Sequence, residues 1–217
     1  MLDRSTRLGG LVGFVLTFFM LWIVWVVILI HYPRPLEHWT IHAAARLLVW
    51  LGSAAAYIRI VERRGVFSYL RLRDRAGKGI LWGIVASILL VGPVIFYRLY
   101  FARAPFHLPP GVFTWINPVL TAPVAEEVVF RGIIFQKLDE VIGTLKAMVL
   151  SALLFALIHA PYWYLSGDKS GKALVFSLGG IFIYGVVFAG LLRLTRSLWT
   201  PMVYHFLNNL VSLSWRG

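Results

Sequence analysis

Polar residues that could do chemistry stand inside three apolar stretches in the second half of this 217-residue chain. They are Glu126, Glu127 and Arg131, then His159, and finally His205 with Asn209. Carboxylates, imidazoles and an amide can together activate a water molecule and stabilise an oxyanion, as hydrolysis without a covalent intermediate requires. An ionisable group in hydrocarbon costs about 2.5–3.5 kcal/mol. Three such clusters in apolar segments therefore predict one shared polar pocket.

The two neighbouring glutamates differ in the partners that their own helix can offer. Glu127 and Arg131 are four residues apart, so they can form an ion pair on one helix face. Glu126 points about 100° away from Glu127, and its carboxylate needs a water, a proton or a second helix. We therefore expect Glu126 to do the chemistry, while Glu127 and Arg131 form a supporting network.

The histidines are less decisive when each is taken alone. A single histidine on an apolar face, such as His159, is more often a satisfied packing residue than a functional one. His205 and Asn209 are four residues apart and share one helix face, where they can equally form an interhelical hydrogen-bonding patch. Both interpretations stay open on these residue types alone.

Prolines next to the clusters favour the functional interpretation. Pro123 precedes Glu126, Pro161 follows His159, and Pro201 precedes His205. Each proline removes a backbone donor and bends or ends its helix, and broken backbone at membrane depth is tolerated only beside protein or a water-filled cavity. The three breaks predict one hydrated intramembrane cavity. We also expect Thr200 and Pro201 to be the N-cap and the first residue of the last helix.

The elements that must position these residues are membrane helices. The chain is 59% hydrophobic and only 14% charged, whereas soluble domains average about 25% charged residues. We expect an all-α, polytopic transmembrane helix bundle that forms a single integral membrane domain over residues 1–217, with a motif-bearing core at about 113–214. Seven spans are predicted, and an eighth, re-entrant piece is left open. The spans lie near 8–30, 41–61, 79–99, 113–136, 145–163, 173–193 and 198–214.

The first apolar run is too long for the core of a signal peptide, so we interpret it as a retained helix. Two glycine pairs, Gly9-x-x-x-Gly13 and Gly79-x-x-x-Gly83, have the spacing that lets helices approach closely. The chain contains no Cys, which excludes disulfides, a cysteine nucleophile and a thiolate metal site.

The net charge of +12 is concentrated in short loops, so we attribute it to membrane topology and do not expect a nucleic-acid partner. With a cytoplasmic N-terminus, the inner side holds Arg4, Arg7, Arg59, Arg63, Arg64, Arg71, Arg73, Arg75, Lys78, Lys137, Lys146, Arg193 and Arg196. The outer side then holds Arg34, Arg98, Arg103, Lys169, Lys172 and Arg216. This bias predicts a multi-pass protein of the cell membrane whose C-terminus lies outside.

The basic loop over residues 59–78 is expected to meet anionic lipid on the cytoplasmic side. It is either a solvated loop or an amphipathic surface helix in which Phe67, Tyr69 and Leu70 alternate with arginines. Arg46, near the outer end of its span, is expected to extend its guanidinium to the interface.

The motifs Glu126-Glu127-x-x-x-Arg131, Phe155-x-x-x-His159 and His205-x-x-x-Asn209, in this order on separate apolar spans, resemble the motif set of the CPBP (Abi) family. That family includes type II CAAX prenyl endopeptidases, bacterial peptide-processing proteases and bacteriocin-immunity proteins. The resemblance covers about residues 113–214 and none of the first three spans.

The resemblance implies a role for each matching residue. Glu126 corresponds to the water-activating base and His159 to the residue that helps to hold the water. His205 and Asn209 correspond to the pair that stabilises the oxyanion, and Glu127 and Arg131 to supporting positions.

A metal-free mechanism is expected, with zinc as the alternative. Glu126, His159 and His205 could supply three zinc ligands and leave a fourth position open. Glu127 would then be the remaining carboxylate for base catalysis, and we expect it to be paired with Arg131.

The function expected from the residues and the resemblance is that of an intramembrane endopeptidase acting on a membrane-associated or lipidated peptide or protein. One alternative is a non-enzymatic immunity or scaffold protein that keeps the motifs as a polar core. Another is a proton-coupled transporter, although the chain has no internal repeat of the kind that many transporters show. The sequence does not predict an oligomeric state.

Overall fold

The computed structural model describes residues 4–32, 39–107 and 115–215. These residues are predominantly helical, and no strand occurs among them, which confirms the all-α prediction. The helices are α1 (Arg4–His31), α2 (residues 39–60), α3 (Val66–Tyr69), α4 (Ala76–Phe101), α5 (residues 116–142), α6 (Thr144–Leu157), α7 (Ala160–Leu165), α8 (Gly171–Thr195) and α9 (Trp199–Ser214).

Within the residues that the structure describes, five helical segments are long and apolar enough to cross a membrane, and they coincide with five of the seven predicted spans. They are Leu8–His31, Ala43–Ile60, Ala76–Phe101, Thr144–Leu165 and Gly171–Thr195. The other two predicted spans correspond to α5 and α9. Helix α9 has only 16 residues, and α5 carries three charged residues of the motifs, so neither is long and apolar enough on its own.

One end of the bundle gathers the loops between α2 and α4, α5 and α6, and α8 and α9. The ammonium of Lys137 lies 2.8 Å from a carboxylate oxygen of Glu62. The indole of Trp199 donates to the carbonyl of Leu72 at 2.7 Å. We call this the basic end, because most of the Lys and Arg residues in the described loops lie here.

The opposite end gathers the beginnings of α2, α5 and α8 and the ends of α1, α4, α7 and α9. The amide of His107 donates to the carbonyl of Ser214 at 3.0 Å, and the indole of Trp215 donates to the carbonyl of Ala104 at 3.3 Å. Successive long helices therefore run alternately between the two ends.

Helix α5 is wound irregularly on both sides of its acidic pair. The segments Ile116–Thr121 and Phe130–Phe135 are π-helical, and they flank a short α-helical segment, Ala122–Val129. Short π-helical segments inside α-helices are frequent at functional sites because they change the direction of neighbouring side chains and free carbonyl groups.

Glycine allows α4 and α9 to approach closely. A Cβ atom added at Gly83 would lie 2.6 Å from Cβ of Val203, and one at Gly79 would collide with Ser197. This confirms the close approach predicted from that glycine pair. The same prediction is wrong for Gly9 and Gly13, whose added Cβ atoms would meet no described atom within 4 Å.

Two further expectations are corrected by the structure. The 59–78 segment is not one amphipathic helix, since only the four-residue α3 lies between the end of α2 and the beginning of α4. Tyr69 and Leu70 are buried in the protein, while Phe67 is exposed. Thr200 is not an N-cap, because α9 begins at Trp199. Its hydroxyl instead donates to the carbonyl of Gly79 at 3.1 Å, since the close contact with α4 places that acceptor beside it.

Two glycines of α8 give a matched test of this packing. A Cβ at Gly185 would lie 2.8 Å from Cβ of Ala152 on α6, whereas one at Gly180 would meet nothing within 4 Å. We expect Gly185→Ala to lower the free energy of unfolding by about 1–3 kcal/mol through overpacking. Gly180→Ala should be neutral or raise it by about 0.5–1 kcal/mol through helix propensity. Thermal unfolding in detergent measures both, and equal shifts would contradict the packing described.

Candidate active site

The polar residues of all three motifs gather at one cavity of about 520 Å³ between the middle of the bundle and its opposite end. Its polar lining consists of Arg46, Asn117, Glu126, His159, His205, Asn208, Asn209 and Ser212. Aromatic side chains form much of the remaining wall, among them Trp22, Trp25, Trp50, Tyr162, Trp163 and Tyr184. An apolar pocket with a few convergent polar groups is typical of ligand sites. The prediction of one shared pocket is confirmed.

Glu126 is compensated from a second helix. Its Oε1 accepts a hydrogen bond from Nη1 of Arg46 on α2 at 3.1 Å. The glutamate is 7% exposed, and the guanidinium of Arg46 lies beside the rings of Trp22 and Trp50. Of the three partners that the sequence left open, the structure supplies a second helix. The expectation that Arg46 extends to the interface is therefore wrong, because the carboxylate of Glu126 holds its guanidinium inside the bundle.

Glu127 lies behind the cavity and binds His205. Its Oε1 accepts from Nδ1 of His205 at 3.0 Å and lies 3.3 Å from Nη1 of Arg131. The predicted pair of Glu127 and Arg131 is confirmed as an ion pair, although its geometry is not that of a hydrogen bond. Because Nδ1 of the imidazole is engaged by Glu127, the other nitrogen, Nε2, points to Glu126 and lies 3.9 Å from its Oε2.

Arg131 is held within the bundle by two aromatic rings and one backbone carbonyl. Its guanidinium stacks between the rings of Phe155 and Phe188, 4.2 and 4.8 Å from their centroids. Nη2 donates to the carbonyl of Gly185 at 3.1 Å. Cation–π contacts of this kind strengthen when they are desolvated. Arg131 therefore holds Glu127 and, through it, His205 in a fixed position.

His159 lies at the break between α6 and α7, as Pro161 predicts. Its Nδ1 bonds to the carbonyl of Phe155 at 2.8 Å, so it carries the proton, and Nε2 is the nitrogen left for the cavity. The indole of Trp22 donates to the carbonyl of Ile158 at 3.0 Å. Helix α1 thus satisfies one of the carbonyls that the break in α6 releases.

The amide of Asn209 is oriented by the irregular beginning of α5. Its Nδ2 donates to the carbonyl of Pro118 at 2.9 Å. An amide nitrogen carries two hydrogens, so one remains for the cavity. Asn208 lines the same cavity although helical geometry separates it from His205, and Asn117 lines it from α5.

The alternative zinc site does not fit this arrangement. Within residues 4–32, 39–107 and 115–215, no three His, Cys, Asp or Glu side chains lie close enough to hold a metal ion. A cation placed at Glu126 would also face the guanidinium of Arg46 at short range. In this arrangement the side chains of Glu126, His159 and His205 are not gathered closely enough to hold one ion together.

Sequence reasoning missed Arg46 and Asn117 as members of the site. A signal for Arg46 was present, because charged residues within membrane spans are almost always paired with one another. Glu126 was the one acidic motif residue without a partner on its own helix. Nothing comparable marked Asn117, since its position depends on the π-helical winding of Ile116–Thr121.

The buried ion pair can be tested by comparing single and double variants. Arg131→Met leaves the carboxylate of Glu127 buried without its cation, and we expect it to lower the free energy of unfolding by about 3–5 kcal/mol. The double variant Arg131→Met/Glu127→Gln removes that charge and should recover part of the loss. Chemical unfolding in detergent measures both. A double variant no more stable than Arg131→Met would show that charge compensation is not what Arg131 provides.

Comparison with protein families supplies the remaining evidence. Residues 107–211 match the model of the family described as type II CAAX prenyl endopeptidase Rce1-like, and this segment contains all three motifs. The comparison with curated proteins and the comparison with solved structures each found no match. The resemblance drawn from the motifs is confirmed. Residues 107–211, which carry the three motifs, are therefore similar to the Rce1-like type II CAAX prenyl endopeptidase family.

Proposed function

We propose that this protein is an intramembrane endopeptidase in which Glu126 activates the water that hydrolyses a peptide bond. The observation that carries the proposal is the setting of the Glu126 carboxylate on the cavity wall. One oxygen is held by Arg46, and the other faces Nε2 of His205 across 3.9 Å. That gap is too long for a direct hydrogen bond, and a water molecule can bridge such a separation.

Arg46 and His159 assist the base Glu126 in different ways. Arg46 holds the carboxylate of Glu126 in place through Oε1 and leaves Oε2 to meet the water. His159 offers Nε2 as a second acceptor, because its Nδ1 proton is committed to the carbonyl of Phe155. Two acceptors on one water orient a lone pair of its oxygen toward the scissile carbonyl.

The oxyanion would be stabilised from α9. His205 contacts the carboxylate of Glu127 through Nδ1, and a proton on Nε2, the nitrogen that faces the cavity, is the donor that we propose for the oxyanion. The free hydrogen on Nδ2 of Asn209 supplies a second donor, and the amide is held in place by Pro118. Donors fixed in advance in a site of low dielectric stabilise developing charge strongly.

The proposed proton transfers return Glu126 to its starting protonation state at the end of each turnover. The water oxygen attacks the carbonyl carbon while its proton passes to Glu126, which gives a tetrahedral oxyanion. The carbon–nitrogen bond then breaks as Glu126 returns the proton to the leaving amine. The immediate products are a carboxylic acid and an amine, and the glutamate is again ionised; the acid then passes its proton to the amine, which gives a carboxylate and an ammonium.

The substrate we propose is a peptide or protein whose apolar or lipidated end lies in the bilayer. Tryptophan and tyrosine side chains form much of the cavity wall and provide an apolar surface for it. Prenylated CAAX tails and membrane-anchored peptides both have this chemistry. Anionic lipid is proposed as a partner at the basic end, where Arg59, Arg71 and Arg73 line a second cavity of about 430 Å³.

A non-enzymatic scaffold or immunity role is the second candidate. It is favoured by the pairing of both glutamates with arginines, which would also stabilise a polar core that carries out no chemistry. The two functions differ in whether a carboxylate is needed at position 126 once the fold is kept.

Replacing Glu126 with Gln tests the proposal. The amide keeps the size of the side chain and can still meet Arg46 but cannot accept the proton, so cleavage should fall at least about 100-fold. The control is Glu140→Gln at the basic end, which should cleave like the parent. Host membranes expressing each variant are compared by mass spectrometry of new protein termini. If Glu126→Gln yields the same new termini as the parent, the glutamate assignment is wrong and the scaffold role is favoured.

Arg46 is proposed as a positioning residue for Glu126. Arg46→Met should lower kcat about 100-fold through misplacement of the base, with KM changed far less. Arg46→Lys should recover part of kcat, because an ammonium can still pair with the carboxylate but cannot stack on Trp22 and Trp50. Steady-state kinetics on a peptide identified by the mass spectrometry distinguishes these cases. A variant that raises only KM, or Lys behaving like Met, would contradict a positioning role.

A further inference from the structure

We infer that the cavity opens on the extracytoplasmic side of the membrane, so that the peptide it receives lies outside the cytoplasm or in the outer leaflet. The side of the opening follows from the placement of charge and of apolar layers. The nature of the substrate rests in addition on the proposed protease function.

The cavity lies in one half of the bundle. It is lined by the second halves of α1 and α9 and by the first parts of α2 and α5. Along α5 it extends from Glu126 to Asn117, about 13 Å at 1.5 Å per residue, and along α9 from His205 to Ser212. None of its described lining residues comes from the loops of the basic end.

An apolar layer separates the site from the basic end. On α5 the acidic pair is followed by Phe130, Ile133 and Ile134, which are completely buried. Ile58 on α2 and Leu198 before α9 are also buried, at 0% and 2% exposed. Since the described cavity lining includes no residue of the basic-end loops, we infer that water and a peptide enter from the opposite end.

The charge distribution orients the two ends. Among the loop and helix-end residues that the structure describes, the basic end holds Arg59, Arg63, Arg64, Arg71, Arg73, Arg75, Lys78, Lys137, Lys146, Arg193 and Arg196. The opposite end holds Arg98, Arg103, Lys169 and Lys172. Lysine and arginine in short loops mark the cytoplasmic side. The basic end therefore faces the cytoplasm, and the mouth of the cavity faces away from it.

This orientation restricts the substrate. A lipidated tail on a protein that stays in the cytoplasm would meet the basic end, whose loops contribute no residue to the cavity lining. A chain that has been exported, and that keeps an apolar segment or a lipid in the outer half of the bilayer, would meet the mouth directly. The geometry thus points to exported, membrane-anchored proteins or peptides as the class that is cut.

Cysteine labelling tests the orientation without reference to activity. The chain has no cysteine, so each substitution introduces a single thiol. Ser212→Cys and Asn117→Cys place it on the cavity wall from two different helices, Asp168→Cys on the surface of the opposite end, and Lys146→Cys at the basic end. Spheroplasts are treated with the membrane-impermeant thiol reagent methanethiosulfonate ethylsulfonate before or after permeabilisation.

We expect Asp168→Cys and at least one cavity variant to react in intact spheroplasts, and Lys146→Cys to react only after permeabilisation. Labelling of Lys146→Cys in intact spheroplasts would show that the topology is reversed or mixed, and it would overturn the inference. Reaction of Asp168→Cys while both inserted, folded cavity variants stay unlabelled would show that the cavity is closed on that side. Cleavage is measured in a separate experiment. Outward labelling without cleavage would contradict the protease function alone, whereas cleavage with inward labelling would contradict the orientation alone.

Discussion

The compensation of buried charge is the constraint on which the rest of this structure depends. Two consecutive glutamates stand in the interior of an apolar bundle, and each is stabilised by an arginine. Glu127 takes its cation from one turn along the same helix, whereas Glu126 takes Arg46 from another helix. An unpaired charge at this depth would cost several kcal/mol, so the positions of α2, α5 and α9 relative to one another are tied to these contacts.

The backbone is adapted to these side chains. Glycine at 185 brings α6 and α8 together and offers its carbonyl to Arg131. The π-helical beginning of α5 presents the carbonyl of Pro118 to Asn209, and the break after α6 places His159 at the cavity wall. Each departure from regular helix therefore supplies a hydrogen-bond partner or a direction that a functional side chain uses.

The residues outside the family match take part in the same site. The matched segment begins at residue 107, yet Arg46 neutralises the central carboxylate, and Trp22 satisfies the carbonyl of Ile158. Together with Trp50 they form one wall of the cavity. The polar groups that do the proposed chemistry come from the second half of the chain, while the first half closes one side of the pocket and supplies part of its apolar surface.

Composition and motif order by themselves determined the membrane bundle, the positions of the long helices, the pairing of Glu127 with Arg131 and the convergence of three segments on one pocket. These follow from local rules, since apolar length, four-residue spacing and proline act within one helix. Only the tertiary structure decided the partner of Glu126, the tautomer of His159, the bond between Glu127 and His205, and the irregular winding of α5. Those features depend on which helices become neighbours, and no short-range pattern records distances between residues 80 positions apart.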